Sequence, residues 1–332
     1  MSSLRGPLLL GIEIGGTKLQ LGLGRGDGRL LALERRAIRP EAGAEGILRQ
    51  IVEAYEALLA REAEVGETPS AVGIGFGGPV DADRGVALRS HQVVGWDGFA
   101  LAEWARQALR VPHVAVQNDA DTAGLGEARF GAGVGMSPIF YVTIGSGIGG
   151  GLILDGRIYR GSGTGAAEVG HLWIDDPDQG PRKLEDLASG WSIGSAARSL
   201  LSDGPDAGPL DSLARGDRSK IDAPAVARAA LEGDPRAISV ISTATRSLGR
   251  GLAHVVTLLA PRRIILGGGV SLIGEDLWFA PIRNQLEVIV FPPFRGTFDV
   301  VPAALGEEVV VHGALAVARD ARLPDRPTNT RA

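Results

Sequence analysis

The sequence predicts an α/β protein made of two lobes of similar construction. Its 332 residues exceed what one ordinary hydrophobic core accommodates and suit two. Short apolar runs bounded by glycine turns alternate with longer segments whose apolar residues recur at helical spacing. One pattern also occurs twice: a pair of apolar strands joined by a glycine turn, near residue 15 and again near residue 145. Such a repeat is typical of an architecture built from two related halves.

The first half contains the predicted sheet and helices that surround the first glycine turn. Residues 44–60 place apolar side chains every three or four positions, which predicts a helix with one buried face. Strands are expected at residues 8–14, 19–23, 29–37, 71–76 and 113–116, and further helices at residues 99–109 and from Asp119 to about residue 130. Asp119 is expected to cap that last helix.

The second half begins with strands at residues 139–144 and 149–154, followed by an irregular stretch at residues 159–190 and then by helices. The clearest helix spans residues 234–259, because Asp234 is a good N-cap and Pro235 suits the first helical position. A strand at residues 263–266 and a helix at residues 307–321 complete the pattern. We place the lobes at residues 1–119 and 120–306, with the helix at 307–321 packing back on the first lobe and a disordered tail at 323–332.

Composition excludes several classes of protein. The net charge is −5, so no overall basic field attracts nucleic acid. No run approaches the roughly 18 apolar residues that span a bilayer, and the apolar start is too short for a signal peptide. The sequence has no cysteine, which excludes disulfides and thiolate metal sites and is compatible with a reducing compartment. We therefore expect a cytoplasmic protein with no nucleic-acid or membrane partner.

Glycines at strand ends carry the clearest chemical signal. They cluster at residues 15–16, at 145 and 147, and at 267–269. Backbone N–H groups hold phosphates wherever no side chain blocks their approach, and the Thr17 or Ser146 hydroxyl can add a hydrogen bond. One such turn is as readily an ordinary hairpin turn, but three at strand ends favour nucleotide binding. The spacing fits neither the dinucleotide pattern nor a Walker-type loop.

Four motifs in order carry a resemblance to a known family. They are Gly-Ile-Glu-Ile-Gly-Gly-Thr-Lys at 11–18, Gln-Asn-Asp at 117–119, Thr-Ile-Gly-Ser-Gly-Ile-Gly-Gly-Gly at 143–151 and Glu-Val-Gly-His at 168–171. Together they resemble the ROK family (repressors, open reading frames and sugar kinases) from about residue 8 to residue 321. The resemblance implies an actin-like ATPase (ribonuclease H-like) fold, with two lobes and a central cleft.

The same resemblance implies a homodimeric kinase of the glucokinase, fructokinase or N-acylhexosamine kinase type. Such an enzyme transfers the γ-phosphoryl group of ATP, with Mg²⁺, to a hexose or amino sugar, commonly at the 6-hydroxyl. We expect a glucose-like substrate. Glu13 stands where many family members have aspartate, and members resembling fructokinases also carry glutamate there, which tilts the expectation slightly toward fructose.

The resemblance also implies roles for individual residues. Asp119 would be the general base, because phosphoryl transfer needs a positioned carboxylate more than a strong base. The implied sugar contacts are Gly77, Gly78, Ser90, Asn118, Gly147, Glu168, His171 and Glu185. The implied nucleotide contacts are Glu13, Gly15, Gly16, Thr17, Lys18, Gly145, Ser146, Gly267 and Gly268. Without the resemblance, each residue also has a structural interpretation: Asp119 as a helix cap, His171 as a structural histidine and Glu185 as a solvent-exposed charge on a helix.

The sequence departs from the family pattern in one respect. Family members usually follow the Glu-x-Gly-His segment with cysteines that bind zinc, whereas residues 172–183 contain none. Zinc prefers thiolate and imidazole ligands, so we expect no zinc site, and His171 would keep only its sugar role.

Two features bear on the alternative function, a non-catalytic sugar-binding regulatory protein of the same fold. The missing zinc motif favours this alternative. The retained pair Asn118 and Asp119 argues against it, because a sensor needs no base. Family repressors carry a DNA-binding segment before the first glycine turn, and that turn begins so early here that we expect no such segment.

Overall fold

The computed structural model describes residues 6–61, 66–90, 92–162, 165–176, 180–201 and 208–322. The predicted tail at 323–332 lies outside these described residues. Within them the strands are β1 (Leu9–Ile14), β2 (Lys18–Gly24), β3 (Leu30–Ala37), β4 (Ala71–Phe76), β5 (Val80–Asp81), β6 (Val86–Ala87), β7 (His113–Asn118), β8 (Ile139–Ile144), β9 (Ile148–Leu154), β10 (Arg157–Ile158), β11 (Trp173–Asp176), β12 (Gly180–Lys183), β13 (Arg263–Gly267) and β14 (Asp299–Pro302).

The α-helices of the described residues are α1 (Gly43–Arg61), α2 (Leu101–Leu109), α3 (Asp119–Phe130), α4 (Glu185–Ala188), α5 (Gly190–Ser199), α6 (Pro209–Ala214), α7 (Ala223–Leu231), α8 (Pro235–Leu259), α9 (Ala280–Ile289) and α10 (Val309–Ala321). A single π-helical turn, Glu275–Phe279, precedes α9. None of the described helices is long and apolar enough to cross a membrane.

The chain divides into two compact units. Unit 1 comprises Met1–Gly135, Gly151–Ala166 and Ala304–Ala332, and unit 2 comprises Met136–Gly150 and Ala167–Ala303. Helices α3 and α10 both belong to unit 1. The lobe boundary that we placed between residues 119 and 120 stays a prediction.

The strands form two five-stranded sheets of matching construction, with the orders β3-β2-β1-β4-β7 and β10-β9-β8-β13-β14. In the first, β1 pairs with β2 in antiparallel and with β4 in parallel, and β4 pairs with β7 in parallel. In the second, β13 pairs in parallel with both β8 and β14. The repeated architecture predicted from the two glycine turns is therefore present.

Helix α10 packs directly on the first sheet, and glycines permit the close approach. A β-carbon on Gly73 would lie 1.9 Å from the carbonyl oxygen of Ala314, and one on Gly11 would lie 2.7 Å from that of Val311. On the helix side, a β-carbon on Gly313 would lie 1.8 Å from the carbonyl oxygen of Thr122 in α3. Helix α10 therefore packs between the first sheet and α3, and these contacts hold α3 in unit 1.

The stretch at 159–190, expected to be irregular, contains short strands and helical turns that the sequence analysis missed. Strands β11 and β12 pair in antiparallel as an isolated two-stranded sheet, and α4 follows. The Gly-Pro-Arg-Lys sequence of β12 lacks the alternation of apolar and polar residues that predicts a strand. The local sequence pattern therefore does not predict that this segment pairs with β11.

Candidate active site

The first glycine turn lies at the carboxyl end of β1 in unit 1. The Gly15 N–H donates to the carbonyl oxygen of Lys18 at 3.0 Å, which closes the turn between β1 and β2. The Gly77 N–H donates to the carbonyl oxygen of Ile14 at 2.8 Å. Because β1 and β4 are parallel neighbours, their carboxyl ends meet at one edge of the sheet. Two predicted binding turns, at residues 15–17 and 77–78, therefore lie side by side.

The cap of α3 corrects one prediction. Asn118, not Asp119, is the N-cap: its Oδ1 accepts hydrogen bonds from the N–H groups of Ala120 at 2.8 Å and Asp121 at 3.3 Å. Its backbone is extended, with φ −63° and ψ 150°, as an N-cap requires, and α3 begins at Asp119. The Asn118 Nδ2 donates to the carbonyl oxygen of Gly78 at 3.1 Å. The amide of Asn118 thus links the helix start to the turn at 77–78.

The carboxylate of Asp119 lies next to the first glycine turn. A β-carbon on Gly77 would lie 3.6 Å from Asp119 Oδ2 and 3.4 Å from the Cα of Gly15. Asp119 is partly buried, and its Oδ1 accepts a hydrogen bond from the N–H of Ala120 at 2.9 Å. Unit 1 therefore brings the predicted base and the predicted phosphate turn together beside Gly77.

Glu13 is the buried carboxylate of this site. Its oxygens lie 3.2 Å from the Lys18 ammonium and 2.7 Å from Gln20 Nε2, which donates to it. Burial raises the pKa of Glu13, and the nearby charge of Asp119 raises it further, whereas Lys18 and Gln20 oppose this shift. The sequence analysis missed Gln20. The pairing register of the β1–β2 hairpin could have identified it, because this register places Gln20 directly opposite Glu13.

A second residue that the sequence analysis missed is Gln92. A β-carbon on Gly16 would lie only 1.3 Å from Gln92 Oε1, so the Gln92 amide rests against the first glycine turn. The hydroxyl of Ser90 accepts hydrogen bonds from the N–H groups of Gln92 at 3.3 Å and Val93 at 3.2 Å. In unit 1 Ser90 thus orders the loop that presents Gln92, and its sugar contact stays a prediction.

The second glycine turn lies in unit 2, at the carboxyl end of β8. The Gly145 N–H donates to the carbonyl oxygen of Gly147 at 2.9 Å, and the Gly190 N–H donates to the carbonyl oxygen of Gly145 at 2.8 Å. Gly190 is the first residue of α5. The start of α5 is therefore attached directly to this predicted phosphate turn.

The third glycine turn lies beside the second. Gly268 has a φ of +82°, a value that favours glycine, and a β-carbon there would lie 2.4 Å from the carbonyl oxygen of Ile144. A β-carbon on Gly190 would lie 2.7 Å from the carbonyl oxygen of Gly145 and 3.3 Å from Val270 Cγ2. Both glycine turns and the start of α5 thus converge within unit 2.

The predicted sugar contacts of unit 2 also come together. His171 Nδ1 lies 3.5 Å from Glu185 Oε1, and a β-carbon on Gly147 would lie 3.3 Å from Glu185 Oε2. The N–H of His171 donates to the carbonyl oxygen of Glu168 at 3.0 Å, across the 3-10 turn Val169–His171. Glu168 and His171 are exposed. This cluster presents carboxylate and imidazole groups that can hydrogen-bond a polyol in fixed directions.

Within the described ranges of the chain, no group of three or more His, Cys, Asp or Glu side chains is arranged to hold a metal ion.

Comparisons with known proteins identify the family. The ROK family profile matches residues 9–321. The glucokinase of Thermotoga maritima is 32% identical over 322 residues, covering 94% of this chain and 97% of the relative. The crystal structure of a ROK family glucokinase from Streptomyces griseus in complex with glucose and AMPPNP is 33% identical, with a TM-score of 0.79 and coverage of 94% and 99%. A putative xylose repressor from Caldicellulosiruptor sp. is 27% identical over 282 residues, covering 83% of this chain and 69% of the relative.

The structural similarity confirms the predicted fold class, an α/β protein with the actin-like ATPase fold. The family profile covers almost the whole chain and includes each of the four motifs from which the resemblance was drawn. The chain belongs to the ROK family.

Proposed function

We propose that this ROK family chain is a sugar kinase that transfers the γ-phosphoryl group of ATP to the 6-hydroxyl of a glucose-like hexose. The observation that carries the proposal is the position of Asp119, whose carboxylate lies beside Gly77 and close to the first glycine turn in unit 1. The glucokinases of Thermotoga maritima and Streptomyces griseus, at 32% and 33% identity, support it, and the latter was crystallised with glucose and AMPPNP.

Asp119 would act as the general base. As the sugar hydroxyl oxygen bonds to the γ-phosphorus, an Asp119 oxygen takes the hydroxyl proton, and the bond from phosphorus to the bridging oxygen breaks to release ADP. Its position at the start of α3 supports this role, because the N–H of Ala120 donates to Asp119 Oδ1 and so orients the carboxylate.

ATP enters as its magnesium complex, so Mg²⁺ is part of the substrate. Glu13 and Asp119 lie close enough in unit 1 for their charges to interact, and both offer carboxylate oxygens, the ligands that a hard cation such as Mg²⁺ prefers. A bound Mg²⁺ would neutralise charge on the phosphates. We propose that Glu13 and Lys18 position this complex, with the backbone of residues 15–17 facing the phosphates.

The cluster in unit 2 supports sugar selection. We propose that Glu168, His171 and Glu185 hydrogen-bond the ring hydroxyls and that Gly147 leaves room for the ring. His171 and Glu185 lie 3.5 Å apart, so the carboxylate orients the imidazole. In unit 1 we assign further sugar contacts to Asn118 and to the turn at 77–78. A site of this kind disfavours analogues that lack a hydroxyl, because a polar side chain that the bound sugar covers would lose its hydrogen-bond partner.

A sugar panel tests the proposal. Purified chain is incubated with MgATP and glucose, fructose, mannose, N-acetylglucosamine or N-acetylmannosamine, and ADP release is coupled to a spectrophotometric readout. We expect glucose to give the highest kcat/KM, with the product phosphorylated at the 6-hydroxyl by NMR. Calorimetric sugar binding without ADP release from any sugar would contradict the kinase proposal and favour a regulatory protein. The homodimer stays a prediction that light scattering checks.

A further inference from the structure

A row of three polar side chains crosses the first sheet beside the first glycine turn. Glu13 on β1 pairs directly with Gln20 on β2, and Gln20 pairs directly with Arg35 on β3. Directly opposed residues of neighbouring strands point to the same face of a sheet, so these three side chains lie side by side. Glu13 and Gln20 are 5% and 1% exposed, whereas the side chain of Arg35 is 53% exposed. The row therefore leads from a buried carboxylate to the surface of unit 1.

Both ends of the Gln20 amide have partners. Its Nε2 donates to Glu13 Oε2 at 2.7 Å and to the carbonyl oxygen of Glu307 at 2.9 Å. Its Oε1 accepts from Arg35 Nε at 3.0 Å. An amide turned end for end would place its oxygen against two acceptors and its nitrogen against a guanidinium, which only donates. The neighbours of Gln20 therefore permit one orientation of the amide, in which its nitrogen faces Glu13.

The Glu13 carboxylate is held at both of its oxygens. Lys18 Nζ lies 3.2 Å from Oε1, and Gln20 Nε2 lies 2.7 Å from Oε2. Lys18 Nζ also donates to the carbonyl oxygen of Glu307 at 3.1 Å, so the turn before α10 anchors both donors. Because each carboxylate oxygen has two lone-pair sites, one donor on each oxygen fixes the plane of the carboxylate and leaves acceptor sites for a ligand.

Arg35 connects this buried network to the surface. Its guanidinium forms an ion pair with Glu308, which lies in the same turn before α10. An ion pair this exposed adds little to folding stability. Its geometry suits another task, because Glu308 holds the guanidinium and the guanidinium in turn fixes the orientation of the Gln20 amide.

We propose that Gln20 is a positioning residue for Glu13. Oriented by Arg35 and by the carbonyl oxygen of Glu307, its amide holds the Glu13 carboxylate in the orientation that receives the magnesium–nucleotide complex. This inference rests on the proposed kinase function and on the part proposed for Glu13 in it. Gln20 is buried and acts through Glu13, so its loss weakens the magnesium-dependent part of nucleotide affinity and leaves sugar affinity unchanged.

Two variants, one conservative variant and one matched control test it. Gln20→Met keeps a similar length but removes both N–H donors, and Arg35→Met removes the group that orients the amide. Arg35→Lys retains a charged donor. The control is Arg36→Met, because Arg36 is the next residue of β3, points to the opposite face and also forms an ion pair, with Glu53 at 2.8 Å. Calorimetry measures the Kd for AMPPNP with Mg²⁺ and with EDTA, and the Kd for glucose.

The expected pattern separates positioning from a structural role. Gln20→Met raises the Kd for AMPPNP about tenfold or more with Mg²⁺, because a hydrogen bond to a charged group is lost. The Kd values for metal-free AMPPNP and for glucose change by less than about twofold. Arg35→Met shows the same pattern with a rise of about threefold, while Arg35→Lys and Arg36→Met match the parent chain.

Several outcomes overturn the positioning role. They are an unchanged magnesium-dependent Kd in Gln20→Met, equal losses with Mg²⁺ and with EDTA, and an Arg36→Met variant that loses as much as Arg35→Met. If Gln20→Met does not fold, Arg35→Met decides, because it alters a half-exposed side chain. A parent chain that binds AMPPNP with Mg²⁺ but phosphorylates no sugar refutes the kinase proposal, while the titrations still decide the role of Gln20. A parent chain whose AMPPNP affinity does not respond to Mg²⁺ overturns that role.

Discussion

Asp119 and Gly77 lie in contact distance, because a β-carbon on residue 77 would come within 3.6 Å of Asp119 Oδ2. The same atom would lie 3.4 Å from the Cα of Gly15. The carboxylate and the first glycine turn therefore both lie beside Gly77. A side chain added at position 77 would contact both of them.

Gly77→Ala should reduce turnover more than stability. The added methyl meets the carbonyl oxygen of Ile14 at 3.2 Å, which is tight but leaves room for small adjustments. A shift of the turn by a fraction of an ångström misaligns the reacting groups, so we expect kcat/KM to fall about 10–100-fold. Steady-state kinetics and urea unfolding of the same preparation check this. Full activity would show that the space beside Gly77 is not used by substrate.

Gly190→Ala should weaken nucleotide binding through the second glycine turn. Its β-carbon would lie 2.7 Å from the carbonyl oxygen of Gly145, closer than real β-carbons approach, so the turn must move. We expect the Kd for ADP to rise about tenfold, with glucose affinity within a factor of about two. Calorimetry with each ligand measures both. Equal losses for ADP and glucose would indicate general damage to unit 2 instead.

Because of Asp234, the free energy of unfolding should decrease at acid pH. Burial raises its pKa, but hydrogen bonds from the Arg236 side chain and from the N–H groups of Leu210, Ala237 and Arg236 outweigh burial and lower the pKa from 3.8 to about 2. The ionised form is thus favoured in the folded state, and its contribution is present above pH 3.8 and lost as pH falls through 2.

Asp234→Asn should therefore destabilise the chain by about 2 kcal/mol at pH 7, and the difference should shrink between pH 4 and pH 2. Urea unfolding of both chains across this range measures it. A destabilisation that stays constant down to pH 2 would show that the capping geometry of α8, and not the charge, carries the effect.

Buried strands bounded by glycine were predictable from the sequence. Strands β4 and β8 match the predicted residues 71–76 and 139–144, because each is a short apolar run that ends at a glycine turn. The Asp234 cap and Pro235 likewise placed the start of α8. The cap of α3 was not predictable, because Asn118 and Asp119 are both good caps and backbone dihedral angles decide between them.

The candidate site was predictable only where its residues form continuous motifs. The glycine turns and Asp119 follow strands and so appear in the sequence as pattern breaks. Gln20 and Gln92 carry no such signal. Gln20 is found from the pairing register of the β1–β2 hairpin, and Gln92 from its contact with Gly16. Each of these depends on chain segments that only the folded structure brings together.

The most direct test of the account is Asp119→Asn, which keeps the shape of the side chain and removes its basicity. Sugar-dependent ADP release and calorimetric binding of glucose are measured on the same preparations. A base role predicts that kcat falls about 10²–10⁴-fold while the Kd for glucose changes by less than about threefold. A variant that turns over at nearly the parent rate would contradict the account, because the carboxylate beside Gly77 would then take no part in proton transfer.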